Sequence, residues 1–168
     1  MKIQGYVRPD GKVGIRNHVL VIPSVVCASE VAARIANNVE GAVAIPNQHG
    51  CCQIGADLEL TEKVLIGLGR NPNVAAVLVV GLGCESVQAE RVAEGIAATG
   101  KDVDYISIQE CGGTLKAVEK GTRIVRKFAQ EASKLRREEV DISDIVLALE
   151  CGGSDTTSGL VSNPVAGT

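Results

Sequence analysis

Val74-Ala75-Ala76-Val77-Leu78-Val79-Val80-Gly81-Leu82-Gly83-Cys84-Glu85 is the stretch on which the fold turns. Seven apolar residues in a row, mostly β-branched and without polar alternation, describe a strand covered on both faces, and both-face burial is the mark of a parallel sheet sheltered by helices. The glycines that follow allow a tight turn at the carboxyl end of that strand. Ser86 to Ala98 then has helical spacing, with Ser86 as a possible N-cap and Gly100 as the stop. Upstream, Val19 to Ile22 is a second apolar run, followed by a helical pattern over Ala28 to Val39. Ala42 to Ile45 is a strand closed by Pro46, and Leu58 to Leu68 a helix ended by Gly69 and Asn71-Pro72. Downstream, Val103 to Ile108 is a fourth strand, Thr114 to about Arg137 a long charged helix, and Ile145 to Leu149 a fifth strand. Met1 to Asn17 is polar, with Arg8-Pro9-Asp10-Gly11 reading as a turn. Strands alternating with helices predict an α/β fold. The expectation is an open, mainly parallel five-stranded sheet with helices on both faces, Rossmann-like, in a single domain over residues 1–168.

Composition narrows the function. The chain has 168 residues, a 45% hydrophobic share, no Trp, one Phe and two Tyr, so its core must be built from Val, Ile, Leu and Ala. A net charge of −3 and so few aromatics argue against nucleic acid, which needs a basic face and stacking platforms. No apolar run approaches the roughly 20 residues that span a bilayer. Six Cys without a signal peptide, two of them adjacent, fit a cytoplasmic protein with reduced thiols better than a secreted disulfide scaffold. The basic residues between Lys120 and Arg137 are interleaved with Glu and read as a solvated helix face.

The cysteines share a pattern. Cys27 follows the first apolar strand, Cys51-Cys52 the second, Cys84 the third, Cys111 the fourth and Cys151 the fifth, so all six are expected at the carboxyl edge of the sheet, where open α/β folds bind ligands. Each alone is as well read as a small space-filler. Taken together they gain weight, because Glu110-Cys111-Gly112-Gly113 recurs as Glu150-Cys151-Gly152-Gly153, and Gly81-Leu82-Gly83-Cys84-Glu85 is a variant. Such turns place a thiol, a carboxylate and free N–H groups at a helix start, which favours thiolates and anions. With His49 beside Cys51, mixed S, N and O ligation of a transition metal is expected from several loops, since no paired C-x-x-C knuckle is present. Cys-His nucleophilic catalysis is a second possibility, and a non-catalytic metal- or thiol-sensing module a third.

The segments Gly5 to Asn17, Pro23-Ser24-Val25-Val26-Cys27, Gly81-Leu82-Gly83-Cys84-Glu85 and Glu150-Cys151-Gly152-Gly153-Ser154-Asp155, in that order, resemble the altronate/galactarate dehydratase family over nearly the whole chain. The family pattern has Gly-Cys-Gly shortly after a His. Here the text is His49-Gly50-Cys51-Cys52-Gln53, with Cys where the second Gly would stand, which leaves open whether Cys51 or Cys52 holds the family position. The resemblance implies a hydro-lyase that turns a sugar acid such as altronate or galactarate into a 2-keto-3-deoxy acid, using ferrous iron or Mn2+. A related branch expels sulfite from sulfolactate. It implies a longer enzyme with a further C-terminal region, from which this chain would be a fragment inactive alone, a small N-terminal-type domain or subunit as partner, and a homo-oligomer. The expected metal ligands are His49, Cys51, Cys52, Cys84, Cys111 and Cys151. Proton transfer falls to His49 first, with Glu85, Glu110 or Glu150 as alternatives. Arg8 and Arg16 would clamp a carboxylate bidentately, with Asn17, Ser24, Ser154 and Asp155 as further substrate contacts.

Overall fold

In the computed structural model of the chain, residues 1–148, 150, 153 and 155–168 are described. The chain opens with β1 (Lys2–Val7) and the two-residue β2 (Val13–Gly14), then enters β3 (His18–Pro23), α1 (Ser29–Asn37), β4 (Ala42–Ala44), α2 (Gly55–Arg70), β5 (Val74–Gly81), α3 (Ala89–Ala97), β6 (Asp102–Ser107) and α4 (Thr114–Lys134). After α4 come β7 (Glu138–Asp141), a single 3-10 turn Ile142–Asp144, and a π-helical turn Ser158–Ser162 running into the short α5 (Asn163–Gly167).

Four strands form a parallel sheet in the order β4-β3-β5-β6. Alternate residues point to opposite faces. Val19 and Val21 of β3, with Ala76, Leu78 and Val80 of β5, meet α1 and α4 on one face; Leu20, Ile22, Val77 and Val79 meet α2 and α3 on the other. Beyond exposed His18 at the start of β3, the two central strands carry no polar side chain, as burial on both faces requires. Helix α4 buries Ala117, Gly121, Val125, Phe128 and Ala132, at steps of three and four, while its interleaved Lys, Arg and Glu stay wet. From β3 the chain steps outward to β4 and then crosses back to β5. Crossovers of one hand running in opposite directions must use opposite faces, so α1 lies on one side and α2 and α3 on the other.

Two expectations are corrected. Among the described residues the parallel sheet has four strands where five were expected: residues 145–148 form no strand, with Val146 87% and Leu147 74% exposed, and Leu149 lies outside the described residues. The polar start, for which no strand was expected, keeps its turn at residues 8–11 but also belongs to a second sheet of order β2-β1-β7, antiparallel throughout, with Ile3 opposite Val140 and Tyr6 opposite Gly14. Instead of adding to the parallel sheet, the chain leaving α4 doubles back along β1. Asp141 then ends the strand by accepting the Ser143 N–H at 3.1 Å. The ring of Tyr6 meets the guanidinium groups of Arg8 at 5.4 Å and of Arg137, just before β7, at 5.3 Å.

Candidate functional site

Because the chain leaves β3 for β4 on one side and returns to β5 on the other, the loops after β3 and β5 diverge. A crevice opens between them at the carboxyl edge, the usual ligand position in such sheets. Here a third segment, Pro46–Ile54 after β4, lies across it. The Val26 N–H donates to the His49 carbonyl at 2.9 Å, and the Ser86 and Val87 N–H groups both donate to the Gly50 carbonyl at 2.9 and 3.2 Å. Gly50 touches both walls of the crevice. Buried Asn47 fixes the approach, its amide donating to the Pro23 and Ser24 carbonyls at 3.3 and 3.1 Å while its oxygen accepts the His49 N–H at 3.0 Å. Gln53 fixes the exit, accepting the Gly50 N–H at 2.9 Å and donating to the Thr61 hydroxyl of α2 at 2.9 Å.

Held at both ends, the loop presents His49, Cys51 and Cys52 to solvent. The two sulphurs are 3.7 Å apart. That hydrogen bond to Cys52, with smaller contributions from the charge of Cys52, desolvation and the thiols of Cys27 and Cys84, raises the pKa of Cys51 above its ordinary value. Cys27 in the loop after β3 and Cys84 in the loop after β5 flank this pair, and all four cysteines are exposed. Cys52 has φ 57°, in the left-handed region that favours glycine. Below the loop, His49 lines a cleft of about 490 Å³ with Gln53, Asp57, Leu60, Thr61 and Val64.

Glu85 faces inward. It is 5% exposed, and its carboxylate accepts the Leu82 and Gly83 N–H groups at 3.1 and 2.6 Å and the buried Ser24 hydroxyl at 3.2 Å. Both Glu85 and Ser24 are thereby spent on joining the β3 and β5 loops. Ser86, expected as a helix cap, serves the Gly50 carbonyl instead, and α3 begins after Gln88. Cys111 is half-buried against the core in the turn before α4, beside exposed Glu110. Glu150 is exposed, and exposed Asp155 accepts the Thr157 N–H and hydroxyl at 2.7 and 2.9 Å, which lowers its pKa. Cys151 and Ser154 lie outside the described residues.

Arg8, Arg16 and Asn17 are not part of this rim. They sit at the amino edge, roughly 20 Å away along β3 at about 3.3 Å per residue. Arg8 is 4% exposed and donates to the Pro72 carbonyl at 2.7 Å, the Asn17 side-chain oxygen at 2.9 Å and the Arg16 carbonyl at 2.8 Å. Asn17 in turn donates to the Ala132 carbonyl at 2.8 Å. The side chain of Arg16 is exposed.

As a metal centre the rim is incomplete. Among the described residues no three His, Cys, Asp or Glu side chains gather so as to hold an ion. What they supply is an edge: a tetrahedral site with metal–thiolate bonds of about 2.3 Å has sulphurs about 3.7 Å apart, the separation of Cys51 and Cys52.

Residues 5–133 match the family model "D-galactarate dehydratase/Altronate hydrolase, second domain", and residues 142–168 match "D-galactarate/Altronate dehydratase, C-terminal". The chain belongs to the galactarate dehydratase/altronate hydrolase family. Among curated members of that family, "(2R)-sulfolactate sulfo-lyase subunit beta" of Chromohalobacter salexigens is 45% identical over 97% of this chain and 41% of its own length. "Altronate dehydratase" of Escherichia coli is 32% identical over 99% of the chain and 35% of its own length. "Galactarate dehydratase (L-threo-forming)" of the same organism is 30% identical over 98% and 35%. The chain thus spans 35 to 41% of the length of these relatives. All three names are those of lyases. Among the described residues no helix is long and apolar enough to cross a membrane.

Asn47 and Gln53, which brace the His49–Cys52 loop, were not singled out by sequence reasoning. Their signal was present: an amide on each side of a His-Gly-Cys-Cys run supplies the donors and acceptors an irregular loop needs.

Proposed function

We propose that the chain is the cysteine-bearing part of a metal-dependent lyase that removes a proton next to a carboxylate and expels a leaving group from the neighbouring carbon. The observation that carries this reading is the His49–Gln53 loop, fastened across the sheet crevice with His49 and four thiols at its mouth, in a chain related to lyases along its length. His49 is exposed, lines the cleft and is the first choice for moving the proton; exposed Glu110 and Glu150 are the alternatives. Glu85 and Ser24 hold the crevice walls at their spacing. Cys51 and Cys52 would hold one edge of a divalent metal, ferrous iron or Mn2+, completed by Cys27, Cys84 or donors beyond this chain. When bound, such an ion acts as a Lewis acid on the carboxylate and hydroxyl oxygens.

Two leaving groups fit the chemistry. The 45% identity favours sulfite, leaving from a sulfolactate whose enol product becomes pyruvate. The relatives at 30 to 32% support hydroxide, leaving from an altronate- or galactarate-like acid to give a 2-keto-3-deoxy acid. A further domain or subunit and a homo-oligomer belong to the same proposal. The test is turnover by the complete anaerobic protein, with its partner subunit if it has one, after loading with Fe2+ or Mn2+. Sulfite and pyruvate in equal amounts from sulfolactate are expected. A 2-keto-3-deoxy acid from altronate or galactarate, without sulfite release, would move the substrate to the sugar acids. Metal-independent turnover, or none on either class, would defeat the proposal.

A further inference from the structure

Cys51 and Cys52 are consecutive in the chain, both exposed, and in direct contact at 3.7 Å, on a loop held from both sides by Gly50 and Gln53. A disulfide bond is about 2.05 Å long, so each sulphur has to move by less than about 1 Å and no helix or strand has to shift. We propose that this pair is an oxidation site, at which a peroxide converts the two thiols into a disulfide between neighbouring residues and so disarms the rim. The loss of activity rests on the lyase reading above; the disulfide itself does not.

The chemistry balances with hydrogen peroxide alone. One sulphur attacks the peroxide, an S–O bond forms as the O–O bond breaks, and the departing hydroxide leaves as water with the thiol proton. The second sulphur attacks the resulting sulfenic acid, an S–S bond forms as the S–O bond breaks, and a second water leaves. The two sulphurs together lose two electrons and the two peroxide oxygens gain them. The product is easily undone. Neighbouring Cα atoms across a trans peptide are about 3.8 Å apart, below the 4.4 to 6.8 Å that disulfides prefer. The bond is therefore strained, and strained, exposed disulfides are the labile, regulatory ones. Oxidation removes both sulphurs of the edge at once.

Peptide mapping tests this without any variant. Trypsin releases Ile35 to Lys63, which contains Cys51 and Cys52 and no other cysteine. After anaerobic purification, brief treatment with equimolar hydrogen peroxide and alkylation, this peptide should appear unalkylated and lighter by two hydrogen atoms, and dithiothreitol should restore both alkylation sites. Cys52→Ser should instead leave a sulfenic acid on Cys51 that dimedone traps. The inference is overturned if both residues stay alkylated. It is equally overturned if the peptide is joined to Asn17–Arg34 through Cys27 or to Asn71–Arg91 through Cys84. Metal content and turnover of the reduced protein are measured alongside. Their absence with the disulfide present removes the lyase reading alone, whereas full activity of the reduced protein, with both residues still free to alkylate after peroxide treatment, removes this inference alone.

Discussion

Gly50 holds a φ of 99°, and a Cβ built on it would stand 2.1 Å from the Ser24 carbonyl oxygen. No side-chain rotation relieves a clash with backbone, so Gly50→Ala should destabilise the protein by at least about 2 kcal/mol, read as a lower urea midpoint. Glu85 makes the opposite kind of prediction. Removing its carboxylate leaves the Leu82 and Gly83 N–H groups and the Ser24 hydroxyl without their acceptor, at a cost of about 2 to 4 kcal/mol for Glu85→Ala. Glu85→Gln, which keeps one acceptor oxygen, should recover part of that and retain turnover per folded molecule; a Gln variant that folds fully but is inactive would return Glu85 to the chemistry. His49→Ala should leave the melting temperature within a degree or two and lower kcat by at least about a hundredfold. At this scale the sequence placed His49, Cys27, Cys51, Cys52 and Cys84 in the loops that follow the parallel strands, which is where the structure has them. It was not legible where a common residue acquires its task from tertiary contact. Glu85 follows its cysteine and Glu110 precedes its own, but that order does not say that Glu85 turns inward onto backbone N–H groups while Glu110 stays exposed.

Helix α2 ends against Lys101, a 7% exposed residue whose ammonium donates to the Gly69 and Asn71 carbonyls at 3.0 and 2.6 Å. Burial, and secondarily the charge of Arg8, lower its pKa from 10.5 to about 8. The unfolded chain keeps this proton up to the ordinary value while the folded chain releases it earlier, so the unfolded state binds more protons between pH 8 and 10.5. Stability contributed by this group must then rise with pH across that window and be flat below it. Urea unfolding of wild type and Lys101→Met at pH 7, 8.5 and 10 checks the sign: the difference in stability, wild type minus variant, should grow with pH. A difference that shrinks would show the charged form to be favoured in the fold. The elements read correctly from sequence were those with the strongest patterns, the unbroken apolar runs of β3 and β5 and the three- and four-residue period of α4. The misses had physical causes. Strand β1, Lys-Ile-Gln-Gly-Tyr-Val, buries only Gly5, so its alternation is too faint to distinguish a ribbon from a polar leader. Ile145 to Leu149 is apolar enough for a buried strand, but periodicity alone cannot say whether a short run is covered; once β7 pairs with β1, the following residues no longer continue the parallel sheet.

The molecule as a whole divides its two sheet edges between two tasks. The carboxyl edge carries the His49 loop, the thiols and the cleft, while the amino edge carries a hydrogen-bonded knot of Arg8, Asn17, Lys101 and the backbone of residues 69–73 that joins the small ribbon to the parallel sheet. Arg8 and Arg16, alike in the sequence as candidate carboxylate clamps, separate on this basis. Lys in place of Arg8 keeps the charge but loses the planar fork that reaches Pro72, Asn17 and Arg16 together. Two buried charge-assisted bonds go with it, so Arg8→Lys should lower stability by about 2 to 4 kcal/mol while kcat/KM per folded molecule stays within about twofold of wild type. Arg16 is exposed at the same edge, so Arg16→Lys should change stability by under about 0.5 kcal/mol and leave kcat/KM alone. Both are measured by chemical denaturation and by steady-state kinetics on whichever acid the complete protein turns over. A tenfold or greater loss of kcat/KM in Arg16→Lys, with stability intact, would mean that a substrate carboxylate reaches the amino edge. In that case a second copy or a further domain would have to bring the two edges together at one site.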